Sequence, residues 1–102
     1  MIKHILLMKF NDNISGKQLS QVQNAFFSFS ATISGVLSVE WGINNSTEGK
    51  SLGFTHCATM TFMDELTRTE YLSHKTLFEF KKMIKPHLAD IIIFDYNFGR
   101  FG

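Results

Sequence analysis

The sequence predicts an α+β domain in which four strands and two helical regions follow one another as β-α-β-β-α-β. Three observations predict it. Apolar residues alternate with a period of two at both ends of the chain and near its middle; a helical period fills the stretches between them; and each change of period falls on a residue that caps or breaks an element. With 102 residues, 44% of them hydrophobic and 14% aromatic, the chain supplies one core and is too short for two. No repeat, low-complexity tract or Pro/Gly-rich linker divides residues 1–102, which are read as a single domain.

The first strand spans residues 2–10, with Ile2, His4, Leu6, Met8 and Phe10 on one face and Lys3, Ile5, Leu7 and Lys9 on the other. Ser15 is placed as the N-cap of a helix in which Leu19, Val22, Phe26 and Phe29 recur at helical spacing until Ser34 and Gly35 break the pattern. "VLSVEWG" is the second strand. Beyond the turn-forming loop "NNSTEGKSLG", "FTHCATMTF" alternates as a third strand, with Phe54, His56, Ala58, Met60 and Phe62 facing one way and Thr55, Cys57, Thr59 and Thr61 the other. Asp64 caps a second helical region that runs to about Ile84 with a break near His74 and Lys75, and Pro86 closes it before the last strand, "DIIIFDYNF".

This order has a familiar spatial solution, the ferredoxin-like fold, in which both helices cover one face of a four-stranded antiparallel sheet. The other face is left bare. Strands one and four are nonetheless apolar on both sides, and leaving Ile5, Leu7, Ile92 and Phe94 wet forfeits roughly 1.5–3 kcal/mol for each side chain. A second copy of the chain, stacked sheet to sheet about a two-fold axis, is the simplest cover, so a homodimeric α/β barrel is expected. The alternative is a monomer whose own loops or tail fold over that face.

Ten Lys and Arg balance nine Asp and Glu for a formal charge of +1, which offers no general attraction to a phosphate backbone or an anionic membrane. No nucleic-acid or membrane partner is expected. The apolar run in "MIKHILLMKF" is too short to span a bilayer and lacks the cleavage site of a signal peptide, and a single cysteine excludes an internal disulfide or CxxC motif. Both point to the cytoplasm.

"KHILLMKF", "GVLSVEWG", "EGKSLGFTH" and "IIIFDY" together resemble, in order and spacing over nearly the whole chain, the Dabb family of stress-responsive α/β-barrel domains. The resemblance implies a ferredoxin-like subunit that dimerises through its sheets. It also brings in a plant polyketide cyclase of the family, in which a tyrosine of the second helical region and the second histidine of a His-Pro-x-His motif carry proton transfers in a pocket between helices and sheet. Tyr71 matches that tyrosine and His74 the first histidine, but Leu77 stands in place of the second and Lys75 in place of the proline. A leucine moves no proton, so that acid–base pair is broken.

A candidate pocket can also be built from the residues alone. With strands one and three read as parallel neighbours, His4 and His56 fall near the same end of the sheet, and the second helical region returns Tyr71 to that end. His4, His56 and Tyr71 are therefore the candidate catalytic cluster, and Leu6, Met8, Val22, Phe26, Ala58, Leu77, Phe80, Ile91 and Ile93 its expected apolar lining. Each has a plainer reading: a lone histidine on an apolar strand face is more often a hydrogen-bonded core residue, Tyr71 can serve packing alone, and His74 can bond the backbone where the helix breaks. Three such residues without carboxylate, thiolate or local ligand spacing point to no metal, and no cofactor motif is present. Lys81, Lys82 and Lys85 read as a solvated helix face, and Cys57 as an inert thiol on the dimer side.

Two functions of different class follow. One is a dimeric stress-response protein that holds a small apolar ligand without transforming it. The other is a cofactor-independent lyase, cyclase or monooxygenase using His4, His56 and Tyr71. Leu77 favours the first.

Overall fold

In a computed structural model, which describes residues 1–99, the chain runs β1 (Ile2–Phe10), α1 (Gly16–Thr32), β2 (Val36–Ile43), β3 (His56–Phe62), α2 (Glu65–Leu72), α3 (Lys75–Ile84), a 3-10 turn (Lys85–His87) and β4 (Leu88–Asn97). The expected domain of residues 1–102 includes three residues that lie outside the described ones. The sheet order is β2-β3-β1-β4, every pair is antiparallel, and the helices pack on one face. This is the ferredoxin-like arrangement, with the second helical region divided in two.

Local chemistry explains each boundary. Ser15 and Gln18 form a capping box: the Gln18 backbone N–H donates to Ser15 Oγ at 3.0 Å, and the Ser15 N–H donates to Gln18 Oε1 at 2.9 Å. Along α1 the fully buried Val22, Phe26 and Phe29 make one apolar stripe. Asp64 caps α2 by accepting from the Thr67 backbone N–H at 2.8 Å, and His74 caps α3 by accepting from the Thr76 N–H at 3.0 Å. The break expected near His74 is thus real, and His74 is spent on it.

The expectation that β1 and β3 are parallel neighbours is corrected. They are neighbours, but Ile2 pairs with Phe62 and Met8 with His56, so they run in opposite directions. The reason is topological: the crossover through α1 makes β2 parallel to β1, and the return through the loop of residues 44–55 then reverses β3.

Packing against the helices is dense. Met8, Val22, Phe26, Phe29, Ala58, Met60 and Phe62 are fully buried, joined by Leu6, Tyr71, Leu77 and Phe80. Ile93 departs from expectation. Its register with Leu6 puts it on the helix side, yet it is 57% exposed, because β4 is an edge strand while α1 rests over β2 and α2 over β3. On the opposite face Ile92, Phe94 and Tyr96 are also exposed.

Gly35 sets the relation between α1 and α2. It has a φ of +88°, and a Cβ there would lie 2.7 Å from Thr67 Cγ2, while its carbonyl accepts from the Met63 N–H just before the Asp64 cap. Gly35→Ala is expected to destabilise the protein by about 2 kcal/mol or more through the left-handed backbone and this overlap. A lower urea midpoint would report it; an unchanged midpoint would mean that α2 is free to shift.

Candidate functional site

His4 is the one histidine buried in the core, at 3% exposure. It reaches that position because β1 is one of the two inner strands under the helices, and its even-numbered side chains point toward them. Across the β1–β4 ladder it faces Asp95, and the two side chains meet: His4 Nδ1 lies 2.6 Å from Asp95 Oδ1. On the other carboxylate oxygen, Oδ2, Arg68 Nη1 donates at 3.4 Å. The Tyr71 ring stands edge-on to the imidazole with centroids 5.5 Å apart, and Phe62 closes a third side at 5.5 Å. Arg68 and Tyr71 come from successive turns of α2, three residues apart on one face.

The electrostatics follow from this packing. Burial pushes the His4 pKa below the ordinary histidine value; the Asp95 charge and hydrogen bond oppose the shift, and the Arg68 charge adds to it. An ionised Asp95 can only accept, so Nδ1 carries the proton and the neutral ring offers Nε2 as its acceptor. Burial, reinforced by the nearby Asp95 charge, drives the Tyr71 hydroxyl far above its usual range and keeps it a phenol. The cluster therefore sets a neutral imidazole, its tautomer fixed by a carboxylate, against the ring of a neutral phenol.

His56 does not join it. Antiparallel pairing places His4 opposite Met60 and His56 opposite Met8, so the two histidines stand about 13 Å apart along the sheet. The expected His4–His56–Tyr71 cluster is corrected to His4–Asp95–Tyr71 with Arg68 behind the carboxylate. His56 belongs to a separate group, 2.7 Å from Thr55 Oγ1 and packed on Phe10 and Trp41. Most of the expected lining is core: Leu6, Met8, Val22, Phe26, Ala58, Leu77 and Phe80 are buried, Ile91 is half-buried against them, and Ile93 forms an apolar ledge beside Asp95.

Asp95 and Arg68 were legible in part. Asp95 shares the parity of Ile91 and Ile93 in "DIIIFDYNF", so an acid was marked on the helix-facing side of an apolar strand; Arg68 is three residues ahead of Tyr71. What pairs them with His4 is the β1–β4 register, which no local pattern contains.

Residues 2–98 match the model of the stress responsive A/B barrel domain. The chain belongs to this family. Among its relatives, the stress-response A/B barrel domain-containing protein HS1 of Arabidopsis thaliana is 26% identical over 94% of this chain and 88% of its own length. Olivetolic acid cyclase of Cannabis sativa is likewise 26% identical over 94% of this chain, and over 95% of its own. A dimeric ferredoxin-like protein of unknown function from Thermobifida fusca superposes with a TM-score of 0.79 at 22% identity, covering 95% of this chain and 90% of that one. Within the A/B barrel frame, the described residues contain no helix long and apolar enough to cross a membrane, and no group of three or more His, Cys, Asp or Glu placed to hold a metal ion.

The depressed His4 and His56 pKa values carry a stability consequence. The unfolded chain, whose histidines titrate near about pH 6.5, takes up protons before the native state does, so stability falls as pH drops through that value. Urea unfolding between about pH 7 and pH 5 should show this decline, and His4→Asn should make it shallower. An equal slope in the variant would mean that His4 is not held neutral by the fold.

Proposed function

We propose that this A/B barrel protein works as a homodimer that holds a small, largely apolar molecule bearing a carbonyl or hydroxyl at the His4–Asp95–Tyr71 cluster. The observation that carries the binding site is the 2.6 Å hydrogen bond from a buried imidazole to Asp95 beside the uncovered Ile93. A carboxylate-oriented histidine and a phenol at the margin of an apolar core give a ligand two polar anchors, and Ile93 gives its apolar part a surface. Arg68, at the rim, keeps Asp95 from turning away.

The dimer rests on the opposite face. Ile92, Phe94 and Tyr96 are exposed there, and Ile5 and Leu7 are only half-buried, an apolar surface of the kind that a second sheet covers. A structural relative of the same fold is dimeric. Light scattering at micromolar concentration should give twice the chain mass, and Ile92→Asp or Phe94→Asp should give monomer or aggregate. A stable, soluble monomer of the unmodified chain would sink the dimer reading.

A second reading is catalytic, and the same hydrogen bond favours it. His4 Nε2 is a general base already held in the correct tautomer, and Tyr71 can donate, so a cofactor-independent proton transfer of the kind a cyclase performs needs no residue at position 77. Against it stands Leu77, 4% exposed and packed in the core where the cyclase motif would place an imidazole. For this reason we put binding first. The deciding measurement is product formation from a linear polyketide thioester by the unmodified protein, Tyr71→Phe and His4→Gln. No turnover above background, with His4→Gln weakening capture of the thioester about tenfold or more, is the expected outcome. Robust turnover that both variants lose by 100-fold or so would establish catalysis instead.

A further inference from the structure

Away from the helices, the central part of the sheet forms a nearly square patch. The strand registers set Gly42, Cys57, Leu7 and Ile92 in one row, Glu40 and Phe94 at the ends of the next, and Ser38, Thr61, Lys3 and Tyr96 in a third. Strands about 4.8 Å apart and a rise of about 3.4 Å per residue make the patch roughly 14 Å on each side. It is the face assigned above to the dimer.

Two features of this patch serve nothing within one subunit. Glu40 is exposed and makes none of the ion pairs found among the described residues. The half-buried Lys3 has its ammonium 3.2 Å from Thr61 Oγ1 and 4.7 Å from the centre of the Phe98 ring, and it pairs with no carboxylate among the described residues. The registers hold the two about 12 Å apart, too far to meet. Gly42 is the second feature. It interrupts β2 without a left-handed φ, and an added Cβ would meet nothing within 4 Å, so neither its backbone nor its own subunit demands a glycine. A glycine inside a strand marks a place where another chain can approach closely. This one borders a hollow of about 380 Å³ that it shares with Leu7, Cys57 and Ile92.

We infer that in the homodimer proposed above, on which this reading rests, the two sheets cross near a right angle about a two-fold axis along the Ile92–Ser38 diagonal. Lys3 of each subunit then pairs with the partner's Glu40, and Tyr96 of each is seated on the partner's Gly42. Face-to-face sheets stack either nearly aligned or near a right angle, and a two-fold axis makes every contact twice. An axis along the strands lays Glu40 on the partner's Phe94, and one across the strands lays it on its own copy. The Gly42–Tyr96 diagonal lays it between the partner's Leu7 and the partner's Cys57. Each of these covers a carboxylate without a counter-charge, which is costly. The Ile92–Ser38 diagonal instead brings Glu40 over the partner's Lys3, beside the hydrogen bond that Lys3 makes to Thr61. The same axis stacks the two copies of Ile92 and gives the Tyr96 ring the hollow beside the partner's Gly42.

The test is sedimentation velocity of the full chain over a dilution series, with far-UV circular dichroism to confirm that each variant keeps its helices and strands. Lys3→Glu and Glu40→Lys should each weaken self-association about 100-fold or more, because every reversal acts twice across the axis. Glu40→Gln, which removes the charge without reversing it, should fall between these and the unmodified chain. Mixing Lys3→Glu with Glu40→Lys should restore a dimer, since both contacts again join opposite charges. Gly42→Phe, whose ring would take the place of the partner's Tyr96, should give a folded monomer. Unchanged self-association in Glu40→Lys or in Gly42→Phe, or a mixture that dimerises no better than its components, would overturn the crossing and leave the dimer standing. A monomeric unmodified chain would overturn both.

Discussion

Strand β1 lies inside the sheet with β3 on one side and β4 on the other, and the two registers it keeps set everything else. With period-two alternation, pairing His4 with Asp95 also places Leu6 beside Ile93 under the helices, and Leu7 beside Ile92 on the far face. A slip of one residue in either ladder would turn the buried histidine outward and bury Lys3 or Ile5 instead. The helix-side core holds the register in place, because Ile2, Leu6 and Met8 are all nearly or fully buried on the same side as His4.

Placing an imidazole and a carboxylate at the edge of that core has a cost, met within the cluster. The His4–Asp95 hydrogen bond satisfies Nδ1 of the buried ring, and Arg68 faces the outer carboxylate oxygen from a more exposed position. Among the described residues no buried side-chain nitrogen or oxygen is left without a partner. Such an arrangement holds polar groups in one geometry, which serves recognition and proton transfer alike. The difference between those two outcomes rests on what else is nearby, and Leu77 supplies packing where a second imidazole would supply chemistry.

The candidate site and the proposed dimer face lie where the packing thins. Under α1 and α3 the aromatic rings of Phe26, Phe29 and Phe80 meet edge to face and fill the core. At the β4 edge the helices no longer cover the sheet, and Ile93 is bare beside Asp95. On the far side no helix covers the sheet, and the β2–β3 loop alone roofs one corner. An apolar ligand or a second copy gains most where water still touches carbon, so the incomplete coverage that weakens an isolated subunit is also what the proposed association draws on.

The amino-acid sequence by itself determined the element order, both helix caps, the break before α3, the two-sided character of β1 and β4, and membership of a resemblance that the family match bears out. These are local or periodic properties: Ser15 with Gln18, Asp64 with Thr67, and alternation along "KHILLMKF" act over a few residues. Only the tertiary structure decided which polar side chains meet. His4 and His56 look equivalent in sequence, yet the reversal of β3 sends them to separate ends, while Asp95, ninety-one residues from His4, becomes its partner. The exposure of Ile93 is of the same origin, since a strand's parity is written in its residues but the reach of the helices above it is not. Contacts between distant residues depend on strand direction and register, and those are set by the packing of the whole chain.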